Sequence, residues 1–308
     1  MVFHIKLREL SKLLVLNTRV AYISCSPSRY AHTKGYDSSC KQNILYMEPC
    51  CKVAVITGGS DGIGFATAQQ LLCCKAKHVA LIGLDIARGL DAVNTLNCSH
   101  GKNKATFIKC DVRNKEAVDD TFLKIKNEFK KVDIIVSAAG IWNEQKWQEQ
   151  IQTNLIGTIN VNLAVQECFR KSNTVVINIA GLSGIQPFPY SPIFASGSTG
   201  IVKLSQSFGH PDNFVRTGIR VVALCAGITS TTLIKDVDQR MLNPEMGKEL
   251  KEFLKTAICQ KPDAVAKAVL EVVKFGATHT VWLVEGSRLL HLEMPDWRKH
   301  CVLVSQFT

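Results

Sequence analysis

The chain has 308 residues, a net charge of +11, 46% hydrophobic and 20% charged residues, a composition that suits one large α/β domain better than two. No apolar stretch reaches the eighteen or so residues that a membrane span needs. The positive charge is spread along the chain without aromatic interleaving, which gives no support to a nucleic-acid surface.

Residues 1–46 carry seven Lys or Arg against two acids, with several serines. Two readings of this leader stand side by side: a mitochondrial targeting segment, or sequence preceding a start at Met47, which adjoins the first strand. The expected organisation is a basic leader at 1–46, one domain at 47–290 and a tail at 291–308. From Lys52 onward, apolar runs at 53–57, 78–83, 105–110, 132–137, 174–179, 219–225 and 280–284 read as strands. Helical stretches near 62–73, 87–96, 114–129, 146–171, 196–208 and 262–275 alternate with them, and Asn114 and Asp263 mark helix starts. The strand runs are continuously apolar, as when both sheet faces are buried. The expected fold class is therefore α/β, a doubly wound parallel sheet (Rossmann) in a single domain. The stretch 229–258 breaks the alternation and is the expected substrate lid. The twelve cysteines show neither Cys-x-x-Cys nor zinc spacing, and read as reduced thiols. The eight histidines form no metal-binding pair, so no metal is expected.

Lys52 to Gly64 read Lys-Val-Ala-Val-Ile-Thr-Gly-Gly-Ser-Asp-Gly-Ile-Gly. Glycines at Gly58, Gly62 and Gly64 remove the β-carbons that would keep backbone away from a pyrophosphate, and the following helix start supplies N–H donors. With Thr57, Ser60, Asp61 and Ile63 they form a candidate cofactor cradle.

That turn, followed in order by Asp111-Val112, Ala139-Gly140-Ile141, Asn154, the stretch 191–200, Gly227-x-Thr229 and Val281–Gly286, resembles the classical short-chain dehydrogenase/reductase family. The branch it is most similar to contains the NAD-dependent hydroxyprostaglandin dehydrogenases and insect alcohol dehydrogenases. The resemblance runs from about Lys52 to about Gly286. It implies an oxidoreductase acting on a small alcohol or hydroxy-lipid. It also implies a homodimer or homotetramer paired through the helices at 146–171 and 196–208, with apolar residues such as Ile151, Leu155, Ile159, Leu163, Ile201 and Leu204. Asp111, Val112, Ala139, Gly140, Gly227 and Thr229 are assigned to the cofactor by the same likeness. Asp61 stands where NADP-using members often carry a base, so NAD is expected. The acid that ends the second strand in NAD-using members is matched here by Gly83, with Asp85 two residues on. Asp85 either reaches the ribose or stands in solvent. Ser137-Ala138-Ala139-Gly140 replaces the usual Asn-Asn-Ala-Gly, so weaker NAD binding is expected.

In the family, a serine, a tyrosine thirteen residues later and a lysine four beyond that carry the proton transfer. The matching positions here are Gly181, Phe194 and Ser198, and only the relay asparagine remains, as Asn154. Phenylalanine has no titratable proton, and serine has no charge with which to lower a phenol's pKa. Ser183 and Tyr190 are the candidate stand-ins, although neither restores a lysine. Two functions follow as expectations. One is a pseudoenzyme that binds nucleotide, a small alcohol or lipid, or a sister subunit; the other is an active NAD-dependent dehydrogenase with a relocated catalytic group. A cytoplasmic location is expected, or a mitochondrial one if the leader targets.

Overall fold

The computed structural model describes residues 46–294; the leader up to residue 45 and the tail beyond 294 lie outside them. Strands β1 (Val53–Thr57), β2 (His78–Gly83), β3 (Ala105–Lys109), β4 (Ile134–Ser137), β5 (Val175–Gly181), β6 (Arg220–Ala226) and β7 (Val281–Glu285) pair in parallel. An eighth strand, β8 (Arg288–Leu292), runs antiparallel to β7, and the sheet order is β3-β2-β1-β4-β5-β6-β7-β8. Sequence reading missed β8 because its residues are only partly buried and follow β7 after a two-residue turn.

Helices α1 (Gly62–Cys73), α2 (Ile86–His100), α3 (Lys115–Phe129), α4 (Trp147–Ile151), α5 (Gly157–Cys168), α6 (Pro192–Phe208), α7 (Pro211–Thr217), α8 (Pro244–Thr256) and α9 (Pro262–Phe275) complete the domain. Alternate residues of β1 feed opposite cores. Ala54 and Ile56 pack with Leu71 of α1 and Val269 of α9; Val53 and Val55 pack with Phe122 of α3 and Val165 of α5. Helices thus cover both faces of the sheet, the doubly wound architecture. Arg220 is buried at the start of β6, yet it donates to Gly276 O and Val273 O and so closes the end of α9. Burial brings its pKa down to about 10.

The helices α7 and α8 have no counterpart in the sequence expectation, and two of the expected helices differ in form. The expected continuous helix at 146–171 is interrupted by a π turn over Gln152–Ile156, because the Asn154 side chain is held by a neighbouring loop. The helix expected from 196 begins at Pro192: proline at a first helical position has no N–H to satisfy and a φ already suited to the helix. The stretch 229–258 folds as two short 3-10 turns, Thr232–Ile234 and Val237–Arg240, followed by α8. No described helix is long and apolar enough to cross a membrane.

Candidate functional site

The chain reverses winding direction between β1 and β4, so the crevice outside their carboxyl ends is the natural ligand position for this topology. A cavity of about 720 Å³ opens there. Its floor is the glycine turn. Gly58 adopts φ 66°, and a β-carbon on it would lie 2.8 Å from Ala138 O. A β-carbon on Gly64 would fall 2.2 Å from Gly58 O, so this glycine lets α1 start against the turn. Gly62, at φ 53°, faces Thr231 of the 229–258 stretch, whose methyl would lie 3.1 Å from an added β-carbon. Asp61 caps α1 by accepting from Gly62 N (2.6 Å). Its second oxygen accepts from Thr232 Oγ1 (2.6 Å) and faces Arg88 Nη1 at 3.4 Å, which ties that stretch, the cradle and α2 together. Ser60, Ile63, Ala139, Gly140, Gly227 and Thr229 also line the cavity.

Four residues assigned to the cofactor from sequence are absent from this lining. Thr57 is buried, and its hydroxyl accepts from Ala138 N and Ala139 N, joining the tip of β1 to the loop after β4. Asp85 caps α2 by accepting from Arg88 N and pairs with Arg88 Nε at 3.7 Å. Asp111 is gripped by Arg113 through Nε, Nη2 and the backbone N–H. Those hydrogen bonds hold its carboxyl below the usual aspartate range. Val112 is buried, with a methyl 2.6 Å from the place a β-carbon of Gly157 would take.

At the other end of the cavity β5 meets α6, and Gly181, Ser183, Phe194 and Ser198 converge. A β-carbon on Gly181 would lie 2.8 Å from Phe194 Cε1, 3.1 Å from Ser183 Oγ and 3.2 Å from Ser198 Oγ. Ser198 Oγ accepts from Gly181 N at 3.3 Å, while the buried Ser183 Oγ has no hydrogen-bond partner among the described residues. The Phe194 ring stacks on Trp142, with centroids 4.7 Å apart.

The sequence model of the short chain dehydrogenase family matches residues 52–242. The chain belongs to the short-chain dehydrogenase/reductase family. It is 29% identical over 256 residues to bovine (Bos taurus) 15-hydroxyprostaglandin dehydrogenase [NAD(+)], a match covering 80% of this chain and 95% of the bovine one. It is 27% identical over 236 residues to alcohol dehydrogenase 1 of the fly Ceratitis cosyra, covering 75% of this chain and 91% of that one. Among solved structures, levodione reductase superposes with a TM-score of 0.68 at 21% identity, covering 77% of this chain and 97% of the reductase. That likeness speaks for the fold.

Against this family frame, Asn154 lines the cavity from within the π turn. Its side chain forms a reciprocal pair with the backbone of Ile141, at 2.9 and 2.8 Å, and its own carbonyl accepts from Thr158 Oγ1 at 2.7 Å. It therefore braces the loop carrying Gly140. Tyr190 is absent from the lining: its ring packs edge-on to Phe188 and beside Phe253. Ile201, expected at a subunit interface, is buried in the protein's own core with Ala223 and Leu283.

Sequence reading missed Glu144 and Arg240. Glu144 is fully buried and accepts from Ser191 Oγ (2.7 Å), Phe194 N (2.8 Å), Gln150 Nε2 (2.9 Å) and Ile193 N (3.0 Å). A carboxylate bonded to free N–H groups at a helix start is favourable, and this one fixes where α6, and therefore Phe194, begins. Three of its four partners lie 47 to 50 residues away, so no local pattern announces it. Arg240 lines the cavity and donates to Leu233 O and Lys235 O, and its buried Nε has no partner among the described residues.

Proposed function

We propose that the protein is a nucleotide-binding homologue of the NAD-dependent alcohol and hydroxy-lipid dehydrogenases that lacks their proton-transfer machinery and acts through binding. The observation that carries this reading is the convergence of Gly181, Phe194 and Ser198 on one point without a titratable group. Positioned acid–base catalysis is worth roughly 10² to 10⁴ in rate, and none of these three side chains is an ionisable acid or base. The nearest lysine on α6, Lys203, is bonded to Gln206 at 3.0 Å and is not part of the cavity lining.

The cradle fits a dinucleotide. The turn through Gly58, Gly62 and Gly64 leaves backbone accessible beside the first N–H groups of α1, the arrangement that suits a pyrophosphate. Ala139, Gly140 and Gly227 line the same cavity. When bound, NAD supplies a hydride acceptor; this chain's residues supply the cradle and an apolar chamber. Asp61, which stands beside the cradle and takes up Arg88, favours NAD over NADP. No acid lines the cavity at Gly83 or Asp85, which weakens the hold on the ribose. The chamber walls of Trp142, Phe188, Phe194 and Phe253 suit a small apolar alcohol or lipid. The half-exposed Trp147 and Leu163 on α4 and α5 suit pairing of two subunits.

Ser183 gives a specific observation for the second reading, a weakly active dehydrogenase. Its unpartnered hydroxyl lies at the convergence point and is free to bind a ligand oxygen. Fluorescence titration with NADH and NADPH tests the binding claim: NADH should bind the more tightly. Failure to bind either nucleotide overturns the proposal.

A further inference from the structure

At the opposite end of the sheet from the cavity, the chain enters β1 through a turn whose two central residues are both cysteine. Lys52 N donates to Pro49 O at 3.1 Å and closes the turn, while Cys51 N donates to Lys75 O at 2.9 Å and ties it to the end of α1. Cys51 adopts φ 62°, a left-handed conformation uncommon for a residue with a β-carbon. Both thiols are exposed, and their sulfurs lie 3.5 Å apart. The chain contains its own control. Cys73 and Cys74 are also adjacent, but Cys74 N keeps the helical bonding of α1, to Gln70 O and Leu72 O, and the two sulfurs share no hydrogen bond.

We propose that Cys50–Cys51 is an oxidation site, a vicinal dithiol that a hydroperoxide closes to a cyclic disulfide. The Cys51 thiolate attacks one peroxide oxygen; the O–O bond breaks, an alcohol or water leaves, and Cys51 becomes a sulfenic acid. The Cys50 sulfur then attacks that sulfur. The S–S bond forms, the S–O bond breaks, and the displaced hydroxide leaves as water with the Cys50 proton. Two thiols and one hydroperoxide thus give one disulfide, one alcohol and one water. Attack from Cys51 accords with the contact between the thiols, which holds the Cys50 proton more tightly than usual. The fixed turn removes the search for a partner, so the first oxidation is captured before a second peroxide arrives. Adjacent α-carbons sit about 3.8 Å apart, closer than the usual disulfide range, so the product is strained and readily reduced again.

The test is peptide mapping of the full chain after exposure to hydrogen peroxide and alkylation of free thiols. Trypsin yields residues 42–52, whose cysteines are Cys50 and Cys51, and residues 53–75, whose cysteines are Cys73 and Cys74. The expected result is a 42–52 peptide lighter by two hydrogen atoms, resistant to alkylation and restored by dithiothreitol, while 53–75 stays doubly alkylated. Cys50→Ser should leave Cys51 as a sulfenic acid trapped by dimedone. Equal oxidation of both peptides, full alkylation of 42–52 under peroxide, or its passage directly to sulfinic acid would overturn the proposal.

Discussion

The two ends of the cavity obey different constraints. At the cradle, function is a matter of absent atoms: Gly58 and Gly64 stand where any β-carbon would collide with backbone. At the β5–α6 end, function in this family is a matter of particular side-chain atoms. There the chain keeps a tightly specified scaffold, with Glu144 fixing the start of α6, around Gly181, Phe194 and Ser198, none of which has an ionisable side chain. The cradle glycines are also packing, so a side chain added there disturbs the fold as well as the site.

The largest effect should come from Gly64→Ala. Its β-carbon would sit 2.2 Å from Gly58 O, and backbone cannot move aside as a side chain can. Nucleotide binding should fall at least a hundredfold, with a lowered melting temperature, in fluorescence titration and calorimetry. Unchanged affinity would break the comparison at its cradle end. Next in size, Glu144→Ala strands Ser191 and two backbone N–H groups of α6. At roughly 1–3 kcal/mol for an unsatisfied buried group, a loss of about 3 kcal/mol is expected in urea unfolding. Glu144→Gln, which keeps an acceptor, should lose less.

Much of this contrast is visible in the sequence. The glycine turn is local, so its spacing reports its geometry, and continuously apolar strands report a sheet buried on both faces. Gly181, Phe194 and Ser198, picked out by counting positions, lie together: a β-carbon on Gly181 would be 2.8 Å from Phe194 Cε1 and 3.2 Å from Ser198 Oγ. What escaped depends on contacts distant in sequence. Asp111 looks free until Arg113 is seen to grip it. Tyr190 looks available until its ring is seen packed on Phe188 and Phe253. Asn154 breaks its own helix through a bond to Ile141.

The catalytic end can be sharpened by restoration. Phe194→Tyr with Ser198→Lys supplies a phenol and a nearby ammonium beside the unpartnered Ser183 Oγ. The double variant should show measurable NAD reduction with a secondary alcohol, and Phe194→Tyr alone should show little. Adding Gly181→Ser forces a β-carbon to within 2.8 Å of the ring at position 194. Such overpacking should destabilise by about 1–3 kcal/mol. A triple variant as stable as the double would show that the ring moves freely.

The smallest effect concerns Asp111 and Arg113. The Asp111 pKa is lowered in the folded protein, so its contribution is full above the ordinary aspartate value near 4 and is lost as pH falls through the lowered value. Arg113→Ala should slightly lower stability at pH 7 and flatten the acid limb of the stability curve below about pH 4. Denaturant unfolding across pH 2.5 to 7 would show it.

The central claim, binding without turnover, is tested most directly by an assay for NADH formation with the unaltered protein, saturating NAD and a series of secondary alcohols and hydroxy-lipids. The account predicts no rate above the protein-free blank in a sample whose NADH binding has been demonstrated. Robust NADH production abolished by Ser183→Ala or Tyr190→Phe would contradict it and place the chemistry on a relocated group.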